Sequence, residues 1–263
     1  MVKKIDGTKI AEKIKDQITK DIFALPGLRP NLAIVLVGER ADSQLYVSLK
    51  EKEGKKVGID TNTYRLPEDI SEQELLDVVG FLNKDASIDG ILVQLPLPEK
   101  FNTDKIIAAI EPLKDVDGFH PQHPEYIISP VLASILACLD DIKFPCIGKT
   151  ASIFYNSEVF GKSVKDILEK KGLKIVPKEN SEQADVLITA LGEPHNIKKE
   201  MIKAGAVIID IGITKQDGKV LGDADYEDVK DKAGYITPVP GGIGPLTIAF
   251  LFKNTWEIFR KRK

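Results

Sequence analysis

The chain has 263 residues, 43% of them apolar and 29% charged, with a formal net charge of −3. That length suits one large or two medium globular domains, and the charge gives no electrostatic footing for a nucleic-acid or membrane partner. Two cysteines, Cys138 and Cys146, and three histidines exclude a disulfide framework and argue against a structural zinc site, so no metal is expected and a reducing cytoplasm is the simplest location. The N-terminus turns polar at Asp6 and does not read as a signal peptide. No apolar run approaches the roughly 20 residues of a membrane span. The basic end from Arg260 onward reads as a solvated helix terminus, where cations suit the dipole.

In chain order, Ile10, Ile14, Ile18 and Ile22 recur every four residues and predict an amphipathic helix. "NLAIVLVG" (31–38) predicts a buried strand ending at a glycine, and 42–58 a helix capped by Asp42 or Ser43. "TNTYRL" (61–66) reads as a strand. Ser71 and Glu74 form a capping box for a helix to about Asn83. "DGILVQLP" is the next strand, and Thr103 is placed to cap a helix to about Ile110. Helices thus alternate with strands that are apolar throughout, the signature of a parallel sheet covered on both faces.

Residues 111–127, rich in Pro, Asp and His, read as a loop, and "ISPVLASILACLDDI" as a helix leading to a second α/β unit. There "TASIFY" (150–155), a helix over 160–171 and "LKIV" (173–176) make one βαβ unit. "ADVLITAL" and "GAVIIDIG" add two buried strands. "TPVPGGIGP" is a stiff loop, with Pro245 in the first turn of a last helix over 246–261. The expected organisation is α/β in two lobes: an N-terminal catalytic domain (1–127), on which the last helix (245–263) packs back, and a Rossmann-like cofactor domain (128–244).

Several residues are candidates for chemistry. Tyr46 and Lys50 stand four apart on one helix face. A ring there can stack on a planar substrate while a desolvated lysine transfers protons near neutral pH; an ordinary solvated helix face explains the same spacing. Gln94 follows Val93 and precedes Leu95 at the C-terminal end of a predicted parallel strand, where ligands of open α/β sheets sit, although an amide there also suits a loop backbone. "DVDGFHP" offers Asp115, Asp117 and His120. A carboxylate suits an amidine-like pair of N–H groups such as those of a pterin or guanine ring, an Asx-turn explains a lone Asp-Gly more simply, and His120 reads as structural. "YNSEVFGKS" (155–163) follows a strand and opens a helix, the place for a dinucleotide phosphate, but carries only one glycine, Gly161. Gly241 and Gly242, set among Pro238, Pro240 and Pro245, suggest a ligand wall or a structural crossover.

Taken together, "YVSLK" (46–50), "GILVQLPLP" (90–98), "DVDGFHP" (115–121), "IIDIGIT" (208–214), "GDADY" (222–226) and "TPVPGGIGPLTIAFLFKNT" (237–255) resemble the bifunctional methylenetetrahydrofolate dehydrogenase/methenyltetrahydrofolate cyclohydrolase family, over nearly the whole chain. The resemblance implies a folate cleft between two α/β lobes. It implies Lys50 as general acid/base, Tyr46 stacked on the folate, Gln94 orienting Lys50, and Asp117 gripping the pterin. Val93, Leu95 and the loop Pro240, Gly241, Gly242, Ile243 and Gly244 would line the substrate, and Tyr155, Asn156, Ser157 and Ile213 would meet NADP or NAD. A homodimer is implied as well.

The second lobe departs from the family pattern. Tyr155-Asn156-Ser157 stands where the family usually has Gly-Arg-Ser, which removes a charge-assisted contact to the NADP 2′-phosphate. "PKENSEQADV" is several residues shorter than the family's segment there and passes almost directly into the next strand, and "SPVLASILA" lacks a Cys-Thr-Pro-like string. Three readings follow: both activities with unusual cofactor choice, cyclohydrolase with weak or lost dehydrogenase activity, or a non-catalytic folate-binding protein. Lys178 offers a replacement positive charge, so the sequence leaves NAD and NADP both open.

Overall fold

The structure is a computed structural model and describes residues 2–25 and 27–262. The chain divides into two compact units, Glu12–Pro130 with the chain from Ile248 onward, and the chain up to Ala11 with Val131–Thr247. The division falls inside the first and last helices, α1 (Gly7–Phe23) and α8 (Ile243–Arg262).

The first unit is built on a parallel three-stranded sheet. Strand β2 (Asn31–Val37) lies between β3 (Asp60–Leu66) and β4 (Gly90–Val93). Its apolar run serves both faces. Leu32, Ile34 and Leu36 join Ile18 and Ile22 of α1, Val47 of α2 (Ala41–Val57) and Phe252, Trp256 and Phe259 of α8. Ala33, Val35 and Val37 join Leu75, Val79 and Leu82 of α3 (Glu72–Lys84) and Ile106 and Ile107 of α4 (Thr103–Ala108). Alternate residues of a strand point to opposite faces, so a sheet covered twice needs an unbroken apolar strand. Phe252 and Phe259 are fully buried, each contributing about 2–3 kcal/mol.

The second unit carries a six-stranded parallel sheet in the order β1-β11-β8-β7-β5-β6. These strands are β1 (Lys3–Lys4), β5 (Thr150–Tyr155), β6 (Lys174–Ile175), β7 (Val186–Ala190), β8 (Val207–Asp210) and β11 (Tyr235–Ile236). Helix α5 (Pro130–Asp141) precedes β5, and α6 (Glu158–Lys170) joins β5 to β6. An antiparallel hairpin of β9 (Thr214–Gln216) and β10 (Lys219–Leu221) and the short α7 (Tyr226–Val229) follow β8. Strands β1 and β11, the hairpin and α7 escape the sequence reading because none is long enough to show a period.

Local boundaries move for identifiable reasons. Helix α2 has no side-chain cap and Arg40 precedes it; Asp42 instead takes the Arg40 guanidinium at 2.7 Å and the N–H of Ser43 at 2.9 Å. The cap of α4 is Asn102, not Thr103, through the Lys105 N–H at 3.0 Å. Helix α6 starts at Glu158 behind Ser157, whose hydroxyl accepts the Phe160 N–H at 3.4 Å. Ile243 and Gly244 belong to the first turn of α8 and not to the loop before it. The link from β6 to β7 is not a bare passage but holds a 3-10 turn at Lys178–Gln183. The capping box of Ser71 and Glu74 is present. The basic end is tied down more than a solvated terminus: Arg262 donates to the Ile88 carbonyl at 2.7 Å and pairs with Asp89 at 3.1 Å. Lys263 lies outside the described residues.

Candidate active site

In the first unit the chain leaves β2 for β3 on one side and returns through β4 on the other. The C-terminal ends of β2 and β4 therefore form a topological switch point, where ligands of open α/β sheets bind. Gly38 turns the chain out of β2 with φ 76°, a conformation that suits glycine. Gln94 lies one residue past β4, its N–H still paired to the Val35 carbonyl at 2.8 Å.

Gln94 spends its amide in two directions. Its Oε1 accepts from Lys50 Nζ at 2.7 Å, and its Nε2 donates to the Leu95 carbonyl at 2.7 Å. The amide orientation is thereby fixed, because only the oxygen can accept from an ammonium. The Leu95–Pro96 bond is cis. Val93 is buried, and Leu95 half-buried.

Asp117 reaches this site through a segment laid along β4. Ile91 bridges Asp115 in parallel fashion, and a Cβ on Gly90 would stand 2.4 Å from Val116. Lys114, almost fully buried, fixes the segment's start by donating to the carbonyls of Leu82, Asn83 and Asp85 at the end of α3. Asn254 of α8 holds its middle by donating to the carbonyls of Val116 and Ile128 at 2.8 and 2.9 Å. Buried Asp115 accepts the N–H groups of Asp117 and His120 at 3.1 and 2.8 Å. His120 spends both ring nitrogens on backbone, accepting from Gln122 N–H at 3.0 Å and lying 3.2 Å from the Ala108 carbonyl. These are structural duties. Among the described residues no donor reaches the Asp117 carboxylate.

The charges respond to this geometry. Burial lowers the Lys50 ammonium below its ordinary value, with the negative charge of Asp117 acting against it. Burial pushes the Asp117 carboxyl up to about 7; Lys50 draws it down and Asp115 adds to the rise. Tyr46, half-buried on α2, is raised by burial and by Asp42 one turn earlier. A desolvated lysine held by a fixed amide, with the charge of a carboxyl acting on it, is an arrangement suited to proton transfer.

In the second unit β6 lies on one side of β5 and β7 on the other, so Tyr155, Asn156 and Ser157 emerge at a second switch point. Asn156 Nδ2 donates to the Leu191 carbonyl beyond β7 at 2.9 Å. A Cβ on Gly161 would fall 2.5 Å from the Tyr155 ring, so that ring lies flat on the first turns of α6. Ile213 is exposed just before β9. First-turn N–H groups of a helix have no partners inside it, and with the Ser157 hydroxyl they supply donors suited to a dinucleotide phosphate; the donor set fits a nicotinamide dinucleotide. The same unit holds the loop after β11. The Val239–Pro240 bond is cis, Gly241 has φ 104°, and its carbonyl accepts the Thr8 N–H at 3.1 Å. Gly242 admits no side chain, since a Cβ would stand 2.6 Å from the Pro238 carbonyl oxygen.

Two buried aspartates bind the strand ends of this unit together, and the sequence reading gave neither a role. Asp210, at the end of β8, accepts the N–H groups of Gly212, Asp223 and Ala224 at 2.8–3.1 Å. Asp223 accepts Thr189 Oγ1 at 2.8 Å and the N–H groups of Leu191 and Glu193 at 2.7 and 2.9 Å. Glycines crowd both: a Cβ on Gly212 would stand 2.0 Å from Asp223, and one on Gly222 2.2 Å from Asp210. The strings "IIDIGIT" and "GDADY" carried the signal, an aspartate and a glycine close together in each. Among the described residues no group of three or more His, Cys, Asp or Glu is placed to hold a metal ion.

Comparison with known proteins identifies the family. Residues 5–117 match the family model described as tetrahydrofolate dehydrogenase/cyclohydrolase, catalytic domain, and residues 130–263 match its NAD(P)-binding domain. The bifunctional protein FolD of Sulfurihydrogenibium sp. is 43% identical over 98% of both chains. The crystal structure of the bifunctional enzyme FolD, methylenetetrahydrofolate dehydrogenase/cyclohydrolase, from Campylobacter jejuni superposes with a TM-score of 0.94 at 34% identity over 100% of each chain. The Trypanosoma brucei enzyme, solved with NADP and an inhibitor, gives a TM-score of 0.92 at 28% identity over 99% of this chain and 98% of its own. Matched along both halves of its length, the chain belongs to the tetrahydrofolate dehydrogenase/cyclohydrolase family.

Proposed function

We propose that the chain catalyses two successive steps of one-carbon folate chemistry: oxidation of 5,10-methylenetetrahydrofolate to the 5,10-methenyl cation with NAD(P), and hydrolysis of that cation to 10-formyltetrahydrofolate. The observation that carries the reading is the 2.7 Å hydrogen bond from Lys50 to Gln94 at a switch point beside Asp117, in a chain of this family.

In the hydrolytic step Lys50, whose pKa burial lowers, takes in its neutral form a proton from the water that adds to the methenyl carbon. As the ring carbon–nitrogen bond breaks, the lysine ammonium returns a proton to the departing N5. The balance is one water consumed and one proton released. Gln94 holds Nζ at a fixed position throughout, and such positioning supplies a large share of catalytic advantage. Asp117, which no donor among the described residues reaches, accepts the paired N–H groups of the pterin. Tyr46 stacks on the folate ring, and Val93 and Leu95 line it. Pro240, Gly241, Gly242, Ile243 and Gly244 are proposed to contact substrate through backbone, as the bare glycines allow.

Bound at the second switch point, the nicotinamide would accept the hydride of the methylene carbon. Ser157 and the first turn of α6 would hold its pyrophosphate, Asn156 ties the strand ends of β5 and β7 together, and Tyr155 and exposed Ile213 would offer apolar surface. The unpaired thiols Cys138 and Cys146 support a cytoplasmic location. A homodimer is proposed from family membership and is checked by sedimentation at assay concentration.

The deciding experiment incubates purified protein with 5,10-methylenetetrahydrofolate and either NAD or NADP, following reduced nicotinamide together with methenyl- and formyl-folate. Reduction with either cofactor supports both activities. Rapid hydrolysis of added methenyl-folate with no reduction would leave the hydrolytic step alone.

A further inference from the structure

We infer that Gly7 and Thr8 are positioning residues for the folate site, because they aim the peptide between Gly241 and Gly242 at the substrate. The inference rests on the reading above that this loop meets the folate, and it adds what fixes the loop's direction.

Strand β1 lies parallel to β11, with Lys3 opposite Tyr235 and Lys4 opposite Ile236. The Ile5 N–H extends the ladder to the Ile236 carbonyl at 2.8 Å. Parallel neighbours leave a sheet at the same end, so the start of α1 and the loop after β11 come out side by side. Asp6 begins the helix, accepting the Lys9 N–H on its carboxylate at 2.9 Å and the Ile10 N–H on its carbonyl at 3.2 Å. The Thr8 N–H, in the first turn, has no partner inside the helix. It donates to the Gly241 carbonyl at 3.1 Å, and the Thr8 hydroxyl reaches the same oxygen at 3.4 Å.

The Gly241–Gly242 peptide is trans, so its carbonyl and its N–H point in opposite directions. With the carbonyl held by Thr8, the Gly242 N–H is turned away from that residue. Gly242 is buried, yet among the described residues its N–H meets no acceptor. An unpaired N–H on a buried residue is uncommon, and an oxygen of the substrate would satisfy it.

Gly7 sets the distance. A Cβ there would stand 1.8 Å from the Gly242 carbonyl oxygen and 2.5 Å from its carbon. Those atoms are backbone and cannot swing aside like the tip of a long side chain. Gly242 is also crowded by its own loop, since a Cβ on it would stand 2.8 Å from the Thr237 Cβ, so the peptide has little room to retreat. Gly7 does not have a positive φ. Its backbone would therefore accept alanine, and only the neighbouring loop forbids it.

The test measures kcat and KM of the full chain for hydrolysis of 5,10-methenyltetrahydrofolate, with a melting curve for each variant. Gly7→Ala should raise KM on the order of tenfold, the worth of one backbone hydrogen bond to substrate, with kcat nearly unchanged because Lys50 and Gln94 are untouched. Thr8→Val keeps the shape and the N–H but removes the hydroxyl, and should raise KM about threefold; Thr8→Ser should restore it. A merely structural role would lower the melting temperature and the active fraction, and so kcat, while KM stayed put. That result, or a wild-type KM in Gly7→Ala, overturns the inference. If Gly7→Ala does not fold, the Thr8 pair decides, and an unmoved KM in Thr8→Val overturns it. A wild type that neither hydrolyses nor binds methenyl-folate overturns the functional reading itself, which distinguishes the two failures.

Discussion

Asp117 and Asp223 are the same side chain in similar settings, each on a segment that runs beside strand ends of a parallel sheet. Asp223 is fully buried and accepts three hydrogen bonds, two of them from backbone. Asp117 accepts none from the described residues, and burial pushes its carboxyl up to about 7. A carboxylate saturated with donors is part of the scaffold, because its charge is already solvated by the protein. One left without donors raises the free energy of the folded state and is retained for what it meets later. On this contrast the first unit leaves one carboxylate of its candidate site without donors among the described residues, while the second surrounds Asp210 and Asp223 with donors that fix the loops around its strand ends.

Four substitutions break or sharpen that contrast. The largest effect is expected from Lys50→Met, which should slow methenyl-folate hydrolysis by roughly 10³-fold, within the range for loss of a general acid/base, with folate affinity largely retained in a direct titration. Turnover near the wild-type rate would remove Lys50 from the mechanism. Asp223→Asn should come next, on the scaffold side. An amide nitrogen would face donors that now meet carboxylate oxygen, costing about 3 kcal/mol in urea unfolding; an unchanged midpoint would mean the network is dispensable. Gln94→Ala leaves Lys50 without its fixed partner and should lower kcat on the order of tenfold, with unfolding little changed. If kcat held and only KM rose, Gln94 would be a substrate contact and not a positioning group.

The effect of Asp117→Asn is smaller than the loss of the Asp223 network, and its sign sharpens the comparison most. A folded carboxyl at about 7 against an ordinary 3.8 means the folded state holds its proton more tightly than the unfolded chain. Its contribution is then fully present below about pH 4 and is lost as pH rises toward 7. Asp210 is displaced in the same direction, to about 7, by its own burial. Asp117→Asn should therefore reduce but not abolish the fall of stability across that window, and equal or exceed the wild type at pH 7. The same variant removes the negative charge that raises Lys50, so an NMR titration of the labelled lysine should show its pKa drop further. A Lys50 titration that does not move would separate the two groups.

Much of this was legible in the chain. The unbroken apolar run of β2 announces a sheet buried on both faces, and the alternation with helices announces parallel strands. Tyr46 and Lys50 share a helix face by spacing alone, and the position of Gln94 past a buried strand identifies it as a sheet-end residue. Other features were beyond reach of local pattern. Asp42 looked like a helix cap, but the Arg40 guanidinium two residues away claims it. Thr103 and Asn102 are both acceptable caps, and backbone direction chose Asn102. The two-residue strands β1 and β11 have no period to read.

The sequence by itself determined the alternating architecture, the family and the residue types available for chemistry, because periodicity and short strings are properties of neighbours along the chain. Only the tertiary structure decided which side chains meet and in what electrical state. Lys50 and Gln94 are 44 residues apart in sequence and 2.7 Å apart in space. Asp223 reaches Thr189 across 34 residues, and Lys178 lies over the ring of Tyr155 across 23. Burial and proximity fix a carboxylate's charge, and both arise only when the strands are laid side by side.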